Sequence, residues 1–137
     1  MDNRSLKISL LSLRWSVFLV FLVWSGDKFL RPEHVAGVFQ HFYFIPGIQP
    51  VISYLIGAAE LAIAVAFVLG LQKTASYGVI LVLHAISTLS CYKQYLAPYA
   101  EAFNILLFAA WPMLAACLAL FLLRNEDTLL TLSSGKK

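Results

Sequence analysis

Apolar residues are grouped along the chain into four long runs, separated by polar or turn-forming stretches. The runs cover about residues 8–25, 48–71, 75–92 and 102–123. Each is long enough to cross about 30 Å of hydrocarbon as a helix, and backbone in hydrocarbon must satisfy its hydrogen bonds internally. The short link at 72–74 makes the second and third runs antiparallel. The pattern therefore predicts an all-α fold: one domain over residues 1–137 that forms an integral membrane bundle of four antiparallel helices.

The stretch between the first two runs predicts a further short helix. Val35, Val38, Phe39 and Phe42 recur at helical spacing, and Pro46 marks the end of that pattern. A helix with one apolar and one polar face is typical of a membrane surface. We therefore expect a short interfacial helix in the first external loop.

Composition supports a membrane location. The chain is 61% hydrophobic and 12% charged, whereas a soluble domain is roughly 45–50% apolar and about 25% charged. Lysine and arginine are more frequent on the side of the two termini, which the positive-inside rule assigns to the cytoplasm. We predict a multi-pass cell-membrane protein with both termini cytoplasmic. Arg14 within the first run disfavours a cleaved signal peptide, and the dispersed net charge of +3 disfavours nucleic acid as a partner.

Three ionisable residues lie within the apolar runs: Arg14, Glu60 and His84. Such groups cost roughly 2.5–3.5 kcal/mol at the centre of a span for Arg, Lys or Asp, and they usually face the protein interior. Glu60 and His84 fall near mid-depth, with Arg14 somewhat to the cytoplasmic side. Because Glu60 is the only carboxylate within the runs, we predict an Arg14–Glu60 ion pair with His84 as a third partner.

Two helix faces carry further patterns. Polar residues on the third run form one stripe, which indicates either a pocket or a set of hydrogen bonds between helices. The residues expected to line such a pocket are Ser87, Thr88, Cys91, Tyr95 and Trp111. On the second run, small residues at four-residue steps form a ladder for close packing against another helix or subunit, unless it is ordinary span composition: Ala58, Ala62, Ala66 and Gly70.

The sequence offers little evident catalytic chemistry. No catalytic residue, no cofactor and no metal site is identified; His34 and His41 are a weak metal pair at best. Cys91 and Cys117 lie about 22 Å apart in depth at 1.5 Å per residue, whereas a disulfide needs Cα atoms within about 7 Å. We therefore expect no disulfide between them within one subunit.

Several short motifs resemble the DoxX-like family of small four-helix membrane proteins. They are Arg14, Gly26-Asp27-Lys28-Phe29 followed by Pro32, and Gly57-x-x-Glu60-Leu61 leading to Leu69-Gly70-Leu71. The resemblance covers about residues 14–123 and implies an antiparallel four-helix membrane bundle. Family members include subunits of a thiosulfate:quinone oxidoreductase, proteins linked to oxidative-stress complexes and distant animal relatives that assist receptor assembly.

Two functions follow as hypotheses, and the sequence leaves open whether the chain is an enzyme. The first is a subunit or assembly partner of a membrane complex without independent catalysis, surrounded by lipid and in contact with other membrane proteins or a second copy. The alternative is a quinone-linked redox subunit that resembles the thiosulfate:quinone oxidoreductase small subunit. There, His84, Ser87 and Glu60 would bind a quinone carbonyl and relay its proton. A small-molecule or proton carrier is a third, weaker hypothesis.

Overall fold

The computed structural model describes residues 3–132, which form helices joined by turns and irregular stretches and contain no strand. The elements are α1 (Arg4–Leu30), α2 (Pro32–Tyr43), α3 (Pro50–Val68), α4 (Lys73–Ser90), α5 (Tyr92–Leu96), a 3-10 helix (Asn104–Ala109) and α6 (Ala110–Leu122). Three helical stretches are long and apolar enough to cross a membrane: Arg4–Leu30, Pro50–Val68 and Asn104–Leu122. The more polar α4 is not among these three.

One apolar core lies between four helices, here called the long helices: α1, α3, α4 and α6. Helix α1 contacts α3 and α6, and α4 also contacts α3 and α6, so each long helix has two long neighbours. Phe21, Phe67, Ile80 and Leu120 are buried in the core between them. We call the end where α1 and α4 begin the terminal end, and the end where they finish the loop end.

Helix α1 is longer than the first apolar run. It continues through Gly26 to Leu30, and Arg31 alone separates it from Pro32, the first residue of α2. The residue before a proline is disfavoured in the helical conformation, which explains the break at Arg31. With 27 residues against 19, α1 spans about 40 Å and α3 about 28 Å. The last turns of α1 thus lie beside α3, in a stretch where the sequence predicts a loop.

Gly57 allows α1 and α3 to approach closely near the loop end. A Cβ atom at this position would lie 2.9 Å from Cβ of Lys28 and 3.1 Å from the ring of Phe29. No real side chain tolerates such contacts without movement of a neighbour. The glycine therefore sets how near Lys28 comes to α3.

Helix α2 forms where the spacing of Val35, Val38, Phe39 and Phe42 predicts a helix. It packs on α1 and α3, and Val35 is buried in that contact. The helix ends where Phe44 adopts a left-handed conformation with φ of 58°. Helix α2 therefore lies against α1 and α3 at the loop end.

Candidate functional site

Arg14 is bound by the C-terminal segment, which folds back across the terminal end. Nη1 of Arg14 lies 2.7 Å from Oδ1 of Asp127, and both side chains are fully buried. Nη2 donates hydrogen bonds to the carbonyl oxygens of Leu129 and Leu130. The Tyr77 hydroxyl donates to Oδ2 of Asp127 at 2.7 Å. A guanidinium inside the helices is thereby neutralised and hydrogen-bonded by a segment beyond the last helix.

Two hydrogen bonds to backbone carbonyls hold the same segment in place. Leu132 N–H donates to the carbonyl of Leu69 at 2.8 Å, and Lys73 Nζ donates to the carbonyl of Asp127 at 2.6 Å. Gly70 has φ of +69°, and a Cβ atom there would lie 2.7 Å from Thr131. The turn between α3 and α4 is therefore a docking surface for residues 127–132.

The predicted Arg14–Glu60 pair is wrong. Glu60 instead lies 3.0 Å from Nζ of Lys28, and each of these side chains is 13% exposed. Ser25 Oγ donates to Oε1 of Glu60 at 3.3 Å. Lys28 reaches this depth because α1 continues past the predicted loop and because Gly57 permits close contact. Glu60 follows the buried Gly57 by three residues and so lies on the same side of α3.

His84 also has partners other than the predicted ones. Its Nε2–H donates to the carbonyl of Ala110 at 2.9 Å, with Oγ1 of Thr88 at 3.3 Å. The Trp24 ring stacks on the imidazole with centroids 5.9 Å apart. The expectation that His84 is a third partner of the Arg14–Glu60 pair is therefore wrong, because His84 connects α4 to α6 and α1.

A partly enclosed cavity of about 470 Å³ lies beneath α2, between α1, α3 and α4. Its wall is mainly apolar, and its polar groups come from Asp27, Lys28, His34, Tyr43, Glu60, Ser87, Ser90 and Cys91. Tyr43 on α2 and Ser87 on α4 are hydrogen-bonded at 3.0 Å across it. The full wall is Phe21, Trp24, Asp27, Lys28, His34, Val35, Val38, Phe39, Phe42, Tyr43, Ile45, Ile56, Glu60, Leu83, Ile86, Ser87, Ser90, Cys91 and Leu107.

The polar stripe of α4 is therefore divided between different surroundings. Ser87 and Cys91 line the cavity, whereas Thr88, Tyr95 and Trp111 are not part of its wall. Thr88 is turned toward His84, and the Tyr95 ring packs on Trp111 with centroids 5.6 Å apart. Burial raises the pKa of Tyr95 to about 12, with Cys91 beside it as a further cause. The five residues predicted to share a pocket do not do so.

The small-residue ladder on α3 is also divided. Ala58 and Ala62 are exposed on the outside of the chain, and Ala66 is half-buried. Gly70 is buried under Thr131 in the turn after α3, so it takes no part in a continuous ladder. Packing of Ala58 and Ala62 against another helix stays a prediction.

The two loop-end histidines have separate partners. His34 Nδ1 lies 2.7 Å from Asp27, and His41 Nε2 lies 3.2 Å from the side chain of Gln94. Within residues 3–132 no group of three or more His, Cys, Asp and Glu side chains is placed to hold a metal ion. Cys91 and Cys117 are both free thiols.

The three apolar helices and the buried charged groups between them define a small helical integral membrane protein. Over residues 6–96 the sequence matches the family described as Methylamine utilisation protein MauE, and the chain belongs to that family. The match covers α1 to α5; α6 and Asp127 lie beyond it. No similar curated protein and no similar solved structure was found. The narrower likeness to the DoxX-like family stays a resemblance of short motifs.

Proposed function

We propose that this protein is a small membrane subunit or assembly partner of a complex that acts in methylamine utilisation, without independent catalysis. The observation that carries the proposal is the family match over residues 6–96. The charged groups between the helices support it. Lys28 pairs with Glu60 and Arg14 with Asp127, so these groups connect helices and the C-terminal segment.

For the arrangement in the membrane, we propose a four-helix transmembrane bundle with both termini in the cytoplasm. The packing of α4 between α3 and α6 supports α4 as the fourth span, since it places α4 alongside two apolar helices. We further propose that α2 lies at the opposite membrane surface. The exposed Phe44 and Ile45 directly after it are suited to such a location.

For the partner surface, we propose the exposed alanine pair of α3. Ala58 and Ala62 leave a shallow strip along which a second backbone can approach closely. Ala59 is also exposed but has the larger Ile63 four residues on. This difference provides a matched pair of substitutions on one helix.

The test is native mass spectrometry of tagged protein purified in mild detergent from cells grown on methylamine. The wild-type protein should give the mass of a defined complex. The Ala62→Leu variant should lose the partner, whereas the Ala59→Leu variant should retain it. Growth on methylamine of a deletion strain carrying each variant should follow the same order. A monomeric wild type, or equal behaviour of the two variants, would contradict the proposal.

The second candidate is a quinone-linked redox subunit, consistent with the DoxX-like motifs. The observation that favours it is that Glu60 and Ser87 both line the cavity beneath α2. The third predicted quinone contact, His84, is absent from that wall, which weakens the original form of the hypothesis. Titration of the purified protein with ubiquinone and with menaquinone, followed as binding, tests it: a protein that binds neither compound is not such a subunit.

A further inference from the structure

The cavity beneath α2 has the dimensions and lining of a ligand site. Its volume of about 470 Å³ falls within the roughly 300–1,000 Å³ of small-molecule sites. Such sites combine a mainly apolar wall with a few polar groups that orient the ligand. Here Val38, Phe42, Ile56 and Leu83 are among the apolar wall residues.

The Lys28–Glu60 pair leaves hydrogen-bonding capacity at this wall. Lys28 Nζ donates to the carbonyl of Trp24 at 3.3 Å and lies 3.0 Å from Oε2 of Glu60. An ammonium group has three donors, so one remains. The Glu60 carboxylate accepts from Ser25 and Lys28, and its two oxygens have about four acceptor positions. A group that accepts from Lys28 and donates to Glu60 fits both, and a hydroxyl is the simplest such group.

Charge balance at the wall favours a neutral ligand. Lys28 and Glu60 compensate each other, and the nearby Asp27 is already bound by Arg31 and His34. A charged head group that paired with Lys28 or Glu60 would also lie beside the other residue of the pair, which carries the same sign as the head group. It would in addition lose its hydration in an apolar cavity. The wall therefore lacks the uncompensated charge that would select a phosphate, carboxylate or ammonium head.

We propose that the cavity binds one neutral amphiphile, with a hydroxyl head at Lys28 and Glu60 and an apolar chain beneath α2. Two sources share this chemistry: a quinol with an isoprenoid chain, and an acyl lipid with an alcohol head such as a monoacylglycerol. The inference does not depend on the proposed partner protein.

The site is tested with hexadecanol that carries a photoreactive diazirine in its chain, added to purified protein in detergent. Wild type should be labelled on residues of the cavity wall. Val38→Trp fills the cavity and should lower labelling at least tenfold. Val82→Trp, which places the same side chain on an exposed position of α4 outside the wall, should leave it unchanged. Ile56→Phe provides a second filling variant if Val38→Trp does not fold, as judged by gel filtration and circular dichroism.

The head-group assignment is tested with the matching diazirine alkane, which lacks the hydroxyl. The alkane should label wild type at least tenfold less than the alcohol, and Lys28→Met should abolish that difference. Equal labelling by both probes would overturn the head-group assignment. Unchanged labelling in folded filling variants would overturn the site.

The source of the ligand is identified by mass spectrometry of organic extracts. A quinol, or an acyl alcohol, that is bound to wild type and depleted in Val38→Trp supports the proposal and names the source. The same lipids in equal amount in both proteins would contradict it. Alcohol labelling retained in Ala62→Leu, together with loss of the partner, would separate this site from the proposed subunit function.

Discussion

Asp127→Asn removes the charge that compensates Arg14 while leaving the shape of the side chain. Both members of the pair are fully buried, and the two charged atoms lie 2.7 Å apart. Removal of one partner from a buried ion pair leaves an uncompensated charge and costs about 3–5 kcal/mol. We expect the free energy of unfolding to fall by about that amount, because the carbonyls of Leu129 and Leu130 alone cannot neutralise a guanidinium.

Reversible unfolding by sodium dodecyl sulfate in mixed micelles measures this loss. Glu126→Gln is the matched control, since the neighbouring carboxylate is exposed and should be neutral within about 0.5 kcal/mol. In the double variant with Arg14→Met, the effect of Asp127→Asn should largely disappear. A loss below about 1 kcal/mol, or a larger loss from Glu60→Gln than from Asp127→Asn, would refute the assignment of Asp127 as the partner of Arg14.

Three further predictions concern a buried hydrogen bond, a close contact between two helices and the orientation in the membrane. Tyr77→Phe removes the 2.7 Å hydrogen bond to a carboxylate and should cost about 1.5–3 kcal/mol in the same unfolding assay. Gly57→Ala should destabilise the fold because its Cβ would lie 2.9 Å from that of Lys28; Gly26→Ala, with no atom within 4 Å, should instead stabilise α1 by about 0.5–1 kcal/mol. With the proposed orientation, an impermeant maleimide should label a cysteine introduced at Glu33 in intact cells. A cysteine introduced at Asn125 should react only after permeabilisation, and the reverse order would contradict that orientation.

The apolar runs predicted where the long helices lie but not where they end. The first run suggested a helix over about 8–25, whereas α1 covers Arg4–Leu30. A hydropathy window detects hydrocarbon-like composition, and a helix continues through polar residues wherever backbone geometry and packing allow. Helical spacing alone was enough to predict α2, since its apolar side chains recur in a stretch too polar to be a span.

The ion pairs were harder to predict because they depend on which segments pack against each other in space. The assumption that Arg14 required a carboxylate within an apolar run excluded Asp127, which follows the last run. One signal was present in the sequence: residues 128–132, TLLTL, return to apolar composition directly after Asp127. Such a stretch indicates a segment that packs back on the protein. The Lys28–Glu60 pair could not be foreseen, because it depends on the extension of α1 and on close contact at Gly57.

The polar stripe of α4 shows the limit of helical spacing as evidence for a pocket. Tyr77, His84 and Thr88 lie at helical spacing on α4, and all three are buried. Whether inward-facing groups enclose a cavity or bond to neighbouring helices depends on the residues opposite them. Helix α2 lies over the cavity, and of the five predicted pocket residues only Ser87 and Cys91 line it.

The contact between Arg14 and the C-terminal segment has a consequence for biosynthesis. Arg14 is synthesised 115 residues before Leu129, one of its hydrogen-bond partners. Until those residues are made, the first helix therefore carries a cation whose native partners are missing. A nascent chain that stops before Asp127 contains all four long helices but lacks the groups that compensate Arg14. Synthesis of residues 127–130 thus completes the charge balance of the first helix.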